Sequence, residues 1–192
     1  MNGKLRRIPA TDVQRLRTDE DFLNAVTGID DFAGQFPWYL RLLLRLTGTK
    51  IPMAENASPK KPVKVQGEIL NLHKSWQGLH YLITEHPWEG EPPLSHAVLG
   101  DTEIGDDLTG YGPARLNDPE EVRQIANALA ALSDAELLRR FEGQRMDELE
   151  IYPGGWQSDS SWKDELRGNL TRLRAFYKRA AAAGDATLTW IE

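Results

Sequence analysis

The sequence predicts an α+β fold: one domain, 1–192, with a small mainly antiparallel or mixed sheet packed against several helices. Three observations carry this reading. Long stretches repeat apolar residues at helical spacing between recognisable start and stop residues, notably 70–84, 118–141 and 160–183. The ends, 4–8 and 186–191, are short and strand-like, the second (ATLTWI) alternating and rich in β-branched residues. A length of 192 residues with 40% hydrophobic content matches one core of ordinary size.

Taken in order, residues 5–8 give a first short strand, and Pro9 suits a helix entry. Thr11 and Gln14 have capping-box spacing, with Val13 and Leu16 apolar behind them. Thr18, followed by Asp-Glu-Asp, marks a second helix start, because acids favour a helix N-terminus. Phe22, Leu23 and Val26 form its buried side, and Gly28 is its stop.

Residues 29–66 read as an insertion. It holds the most apolar segment, FPWYLRLLLRL from Phe36 to Leu46, then a Pro/Lys loop, NASPKKPVK. Arg41 and Arg45 share one helical face. The segment suits a buried helix, a partner or homodimer contact, or a membrane-surface helix, and is too short to span a bilayer.

Residues 70–84 (LNLHKSWQGLHYLIT) predict the central helix. Leu72, Trp76, Leu79 and Ile83 make one stripe, and His73, Gln77, His80 and Thr84 make a polar stripe beside it. On such a helix His73 and His80 would stand two turns, roughly 10.5 Å, apart. Pro87 closes the helix. Strands are expected at about 97–100 and 111–117. Asp118, Pro119 and Glu121 form an N-cap, first-turn proline and capping-box residue, with Val122, Ile125, Ala126 and Leu129 inward. Ser133 and Glu136 repeat the box ahead of Leu137, Leu138 and Phe141. Residues 150–156 (EIYPGGW) are turn-rich. The last helix, 160–183, carries Trp162, Leu166, Leu170, Leu173, Tyr177 and Ala180 along its seam and stops at Gly184.

Charge and composition exclude several function classes. Net charge is −6, and residues 65–192 hold 22 Asp/Glu against 12 Lys/Arg. Between Lys74 and Arg115 there is no Lys or Arg, while Glu85, Glu89, Glu91, Asp101, Glu103, Asp106 and Asp107 fall there. Such a loop repels a phosphate backbone, so no nucleic-acid partner is expected. No apolar run approaches a membrane span, and the N-terminus lacks the apolar core of a signal peptide. With no cysteine, disulfides and thiolate chemistry are absent. A cytoplasmic protein is the resulting expectation.

The run LNLHKSWQGLHYLIT, then PPLSHAVLG, GYGPAR with NDPEEV, EIYPGGW, and a last helix ending AAAAGDATLTW resembles the YfbM-like bacterial family. The resemblance covers 67–192 well and the first 26 residues loosely. It implies a single α+β domain and carries over no catalytic residue. The insertion 29–66 is a departure from the family pattern, as are His73 and His96.

No catalytic constellation stands out. The four histidines, His73, His80, His86 and His96, contain no HExxH and no pair at i, i+4, so no metal and no cofactor is assigned; a zinc site of His80 with loop carboxylates competes with His80 as a hydrogen-bonded core histidine. No serine sits in G-x-S-x-G. GYGPAR lacks the phosphate-loop lysine and reads as a turn, but Tyr111 and Arg115 share one side of a strand and could meet an anionic ligand. Asp106-Asp107 has no EF-hand spacing. The candidate pocket is therefore Trp76, His80, Tyr111, Arg115 and Tyr152. It suits a binding or regulatory module for a protein or small-molecule partner. The alternative is an enzyme acting on an anionic small molecule in a cleft around His80, Tyr111, Arg115 and Tyr152.

Overall fold

The structure, a computed structural model, describes residues 1–28, 65–107 and 109–192. The segment from Phe36 to Leu46, its dimer contact and nearly all of the insertion lie outside them. The described elements are β1 (Gly3–Ile8), α1 (Val13–Thr18), α2 (Glu20–Thr27), β2 (Ile69–His73), α3 (Trp76–Thr84), α4 (His96–Leu99), β3 (Thr102–Ile104), β4 (Ala114–Asn117), α5 (Pro119–Ala131), α6 (Asp134–Arg139), α7 (Gly143–Glu148), α8 (Ser161–Ala183) and β5 (Ala186–Ile191). The strands form one sheet in the order β2-β1-β5-β4-β3. Every pairing is antiparallel, including that of the two chain ends, with Gly3 opposite Ile191 and Ile8 opposite Ala186. The fold is α+β.

Helices cover both faces of the sheet. Ile8, Leu116, Leu188 and Trp190 point to α1 and α2, where they meet Leu16, Phe22, Leu23 and Val26. Leu5, Leu70 and Leu72 point the other way, into a larger core with α3, α5 and α8. Alternation along β1 and β5 thus serves two cores at once, which the period of two allows and a helix would not.

The central stretch departs from the predicted 70–84 helix. Residues 69–73 are a strand with the pattern exposed, buried, intermediate, buried, exposed. His73 turns the chain with φ 51°, and the helix begins only at Trp76. Leu70 and Leu72 satisfy period two, while Leu72 and Trp76 satisfy a helical spacing of four; the ambiguity hid the break. His73 and His80 are therefore on different elements, and the helical separation expected for them does not apply. The strand expected near 97–100 is instead the short helix α4, followed by β3, and the strand expected at 111–117 starts at Ala114.

Start signals also differ in detail. α2 is capped by Asp19, whose carboxylate accepts from the Phe22 N–H at 3.0 Å, not by Thr18. Thr11 and Gln14 make no box: 10–12 is a single 3-10 turn with no side-chain cap. Asp118 begins α5 as expected, but its side chain makes no cap bond; both oxygens accept from Arg17 at 3.0 Å and tie α1 to the start of α5. Ser133 does cap α6, accepting from the Glu136 N–H at 3.1 Å. Gly28 and Gly184 end their helices in the left-handed region, as a C-terminal glycine permits.

Candidate functional site

The helix α3 is buried on all sides from Trp76 to Ile83. Its polar face was expected to line a pocket; it is instead sealed by backbone. The Gln77 amide donates to the Pro87 carbonyl at 3.1 Å, and its oxygen accepts from the Tyr152 N–H at 2.9 Å. His80 is fully buried and its Nε2–H donates to the Glu89 carbonyl at 3.0 Å. These two side chains pin the loop 85–91 and the turn 151–155 onto the helix, satisfying groups whose burial would otherwise cost free energy. Burial pushes the His80 imidazole down to about 4, against a partly opposing pull from the Glu89 carbonyl, so it is neutral near pH 7.

A groove of about 350 Å³ opens at the end of the sheet, and the loop that α3 anchors supplies Trp88 to it. Trp76, Trp88, Glu103, Tyr111 and Arg115 all line it, together with Gly3 of β1 and Thr189, Trp190 and Ile191 of β5. Trp76 is 1% exposed and forms the base. Gly3 lets β1 lie on it: a Cβ there would sit 2.5 Å from the Trp76 Cβ. The Trp88 ring stands 5.7 Å from that of Trp76 at 54°, a corner of two indoles. Trp88 is 60% exposed and Tyr111 51%, and they are two of the four exposed large apolar side chains among the described residues. Aromatic surface left in water beside a concavity is where ligand contacts are expected.

At the polar side of the groove, the Arg115 guanidinium donates to Glu103 at 2.5 Å and to the Asp101 carbonyl at 3.3 Å. Strand register explains the pair: Glu103 and Arg115 are direct cross-strand partners in β3 and β4. Asp107 shapes the turn that presents Tyr111, its carboxylate accepting from the Thr109 and Gly110 N–H groups at 3.2 and 2.7 Å.

Of the five residues singled out from sequence, Trp76, Tyr111 and Arg115 meet in this groove. Tyr152 stands behind it, its ring stacked on Trp76 at 6.2 Å and its hydroxyl donating to the Met1 carbonyl at 3.2 Å. His80 does not reach the groove: its ring is buried in the core, with Nε2–H held by the Glu89 carbonyl and Nδ1 without a hydrogen-bond partner among the described residues. Trp88 lines the groove but is not among the residues that the sequence singles out. The signal for it was a tryptophan in an acidic Pro-rich loop, where no core periodicity asks for one. His96 has a separate role, its Nδ1 held by Glu121 at 2.7 Å, which ties α4 to the start of α5. Among the described residues, no helix is long and apolar enough to cross a membrane.

Comparison with known proteins agrees with the architecture. A family model described as a domain of unknown function (DUF1877) matches residues 1–190. Protein YfbM of Escherichia coli (strain K12) is 31% identical over 134 residues, which are 64% of this chain and 75% of that protein. The crystal structure of YfbM from Escherichia coli, a protein of unknown function, superposes with a TM-score of 0.64 at 22% identity, covering 98% of both chains, and shares the fold. A family match over nearly the whole length, with a shared fold, places this chain in the DUF1877 family of YfbM-like proteins.

Proposed function

We propose that this chain is a binding module whose working surface is the groove of Trp76, Trp88, Tyr111 and Arg115. The carrying observation is that two exposed aromatic side chains, Trp88 and Tyr111, flank one concavity whose base is a buried indole. Leaving them in water contributes little to folding, and large aromatics at such positions are common anchors for a ligand or partner. A groove of about 350 Å³ lies at the lower end of the range for small-molecule sites, which favours a small-molecule occupant over a broad protein face.

The enzymatic alternative has less support. A reaction in the cleft needs an acid or base within reach of the substrate. His80 lies outside the lining, and Glu103 is engaged by Arg115.

The test is a small-molecule screen by thermal shift and tryptophan fluorescence, with Trp88→Ala as the paired counter-screen. Ligands that stabilise the parent chain and not Trp88→Ala support the reading. If every stabilising ligand acts equally on both, the groove is not the binding surface.

A further inference from the structure

We propose that the groove's occupant is a small organic cation, an alkylammonium or quaternary ammonium headgroup. This rests on the groove being a binding surface and adds the charge of what it binds. The first argument is the walls. Trp76 and Trp88 meet at 54° and 5.7 Å, and Tyr111 lines the same groove. Ring faces carry negative quadrupole charge, and the two exposed rings, Trp88 and Tyr111, are the ones a bound cation meets, with the buried Trp76 backing Trp88.

The second argument is the charge around those walls. Residues 75–114 supply Trp76, Trp88, Glu103 and Tyr111, and carry seven carboxylates with no Lys or Arg. Glu85 has a partner outside the segment, Arg140 at 3.2 Å. Glu103 lines the groove itself and Asp107 holds the turn that carries Tyr111, whereas Glu89 and Glu91 line a different cavity. The one cation in the lining, Arg115, is already held by Glu103 and the Asp101 carbonyl. The pair is close to neutral, so no unpaired cation in the lining is left to hold the anionic ligand that Tyr111 and Arg115 suggest from sequence alone, and the Asp107 carboxylate in the turn that carries Tyr111 favours a cation.

The lining suits an organic cation and not a bare metal ion. The groove is lined chiefly by aromatic and aliphatic groups, with one carboxylate that is already paired. A hard cation needs several oxygen ligands to replace its water. A methylated ammonium sheds little hydration and makes apolar contact with the rings through its methyl groups.

The experiment titrates the full chain with choline, with its neutral isostere 3,3-dimethylbutanol, with benzoate and with a lysine-rich peptide. The readouts are tryptophan fluorescence and the indole N–H resonances. Choline is expected to bind saturably, shift the Trp76 and Trp88 signals, and exceed the neutral isostere by about tenfold or more. Trp88→Ala should abolish the shifts with little change in Tm, because Trp88 is 60% exposed. Glu103→Gln should weaken choline and improve benzoate by freeing Arg115. Equal binding of the isostere, or tighter binding of benzoate than of choline, overturns the cation inference while the groove remains a binding surface. Binding of the peptide alone overturns it in favour of a basic protein partner. If no probe moves a groove signal, both the inference and the groove reading fail.

Discussion

Gly78 sits in the middle of α3, and replacing it by alanine separates two opposite expectations. In an open helix, Gly→Ala stabilises by about 1 kcal/mol, because alanine loses less backbone entropy. Here a Cβ would lie 2.3 Å from Cη2 of Trp156, 2.9 Å from Cζ2 and 3.0 Å from Cζ3. Ordinary carbon contacts are about 3.5–4.0 Å, so the ring or the helix must move by roughly 1 Å. Trp156 has little room to yield. It is 1% exposed, its Nε1–H donates to the Ile151 carbonyl at 2.6 Å, and it packs on Trp162 at 4.7 Å. Overpacking of this kind costs about 1–3 kcal/mol, and a rigid pinned indole belongs in the upper half. After the propensity gain, Gly78→Ala should destabilise by about 1–2 kcal/mol, lowering Tm by roughly 2–8 °C for a chain of this size. Gly168→Ala on α8 is the control: nothing lies within 4 Å of its Cβ, so it should raise Tm by roughly 1–4 °C. Urea denaturation and thermal melts read both, and the cost of Gly78→Ala should shrink in a Trp156→Leu background. If Gly78→Ala stabilises the chain as Gly168→Ala does, α3 is not seated on Trp156, and the packing described for this core is wrong.

The remaining predictions concern single contacts. Ser133→Ala should cost about 1 kcal/mol in urea denaturation by leaving the Glu136 N–H uncapped, and an unchanged midpoint would remove the cap. Tyr177→Phe deprives the Ala97 carbonyl of a donor at 3.0 Å and the Asn117 amide of an acceptor at 3.2 Å in a buried site; a loss of about 1–3 kcal/mol is expected, and a neutral result would mean those groups find other partners. His80 is neutral in the fold and held down to about 4, whereas an unfolded histidine titrates near 6.5. Between those values the unfolded chain takes up a proton that the folded chain refuses, so its contribution is whole above pH 6.5 and lost as pH falls toward 4. The full effect is roughly 3 kcal/mol. Stability profiles of the parent and His80→Gln should diverge across that window, and parallel profiles would contradict the burial of a neutral ring.

Legibility from sequence followed the physics of each signal. The helix 161–183 was plain because six seam residues repeat over many turns and a glycine ends it. The strand 186–191 was equally plain from β-branched alternation. Residues 69–73 were misread because a five-residue strand running straight into a helix leaves Leu72 consistent with both periods. Asp118 was located correctly, but its side chain turned to Arg17, a partner 101 residues away that no local rule contains. For the candidate site, periodicity singles out Trp76, and the Gly-flanked turn with strand parity singles out Tyr111 and Arg115; all three line one groove. Trp88 was passed over because an exposed aromatic in a loop has no periodicity to announce it. His80 was placed in the pocket because a histidine on an apparent polar face looks accessible; only tertiary contact with the Glu89 carbonyl removes it.

The most direct measurement of the central claim is amide hydrogen exchange along α3. This helix is the buried post that carries Trp76 and holds the loop of Trp88, so the amides of Leu79–Thr84 should exchange only through global unfolding, with protection equal to that of the most protected amides in α8. Exchange of those amides through local opening, orders of magnitude faster than in α8, would contradict it.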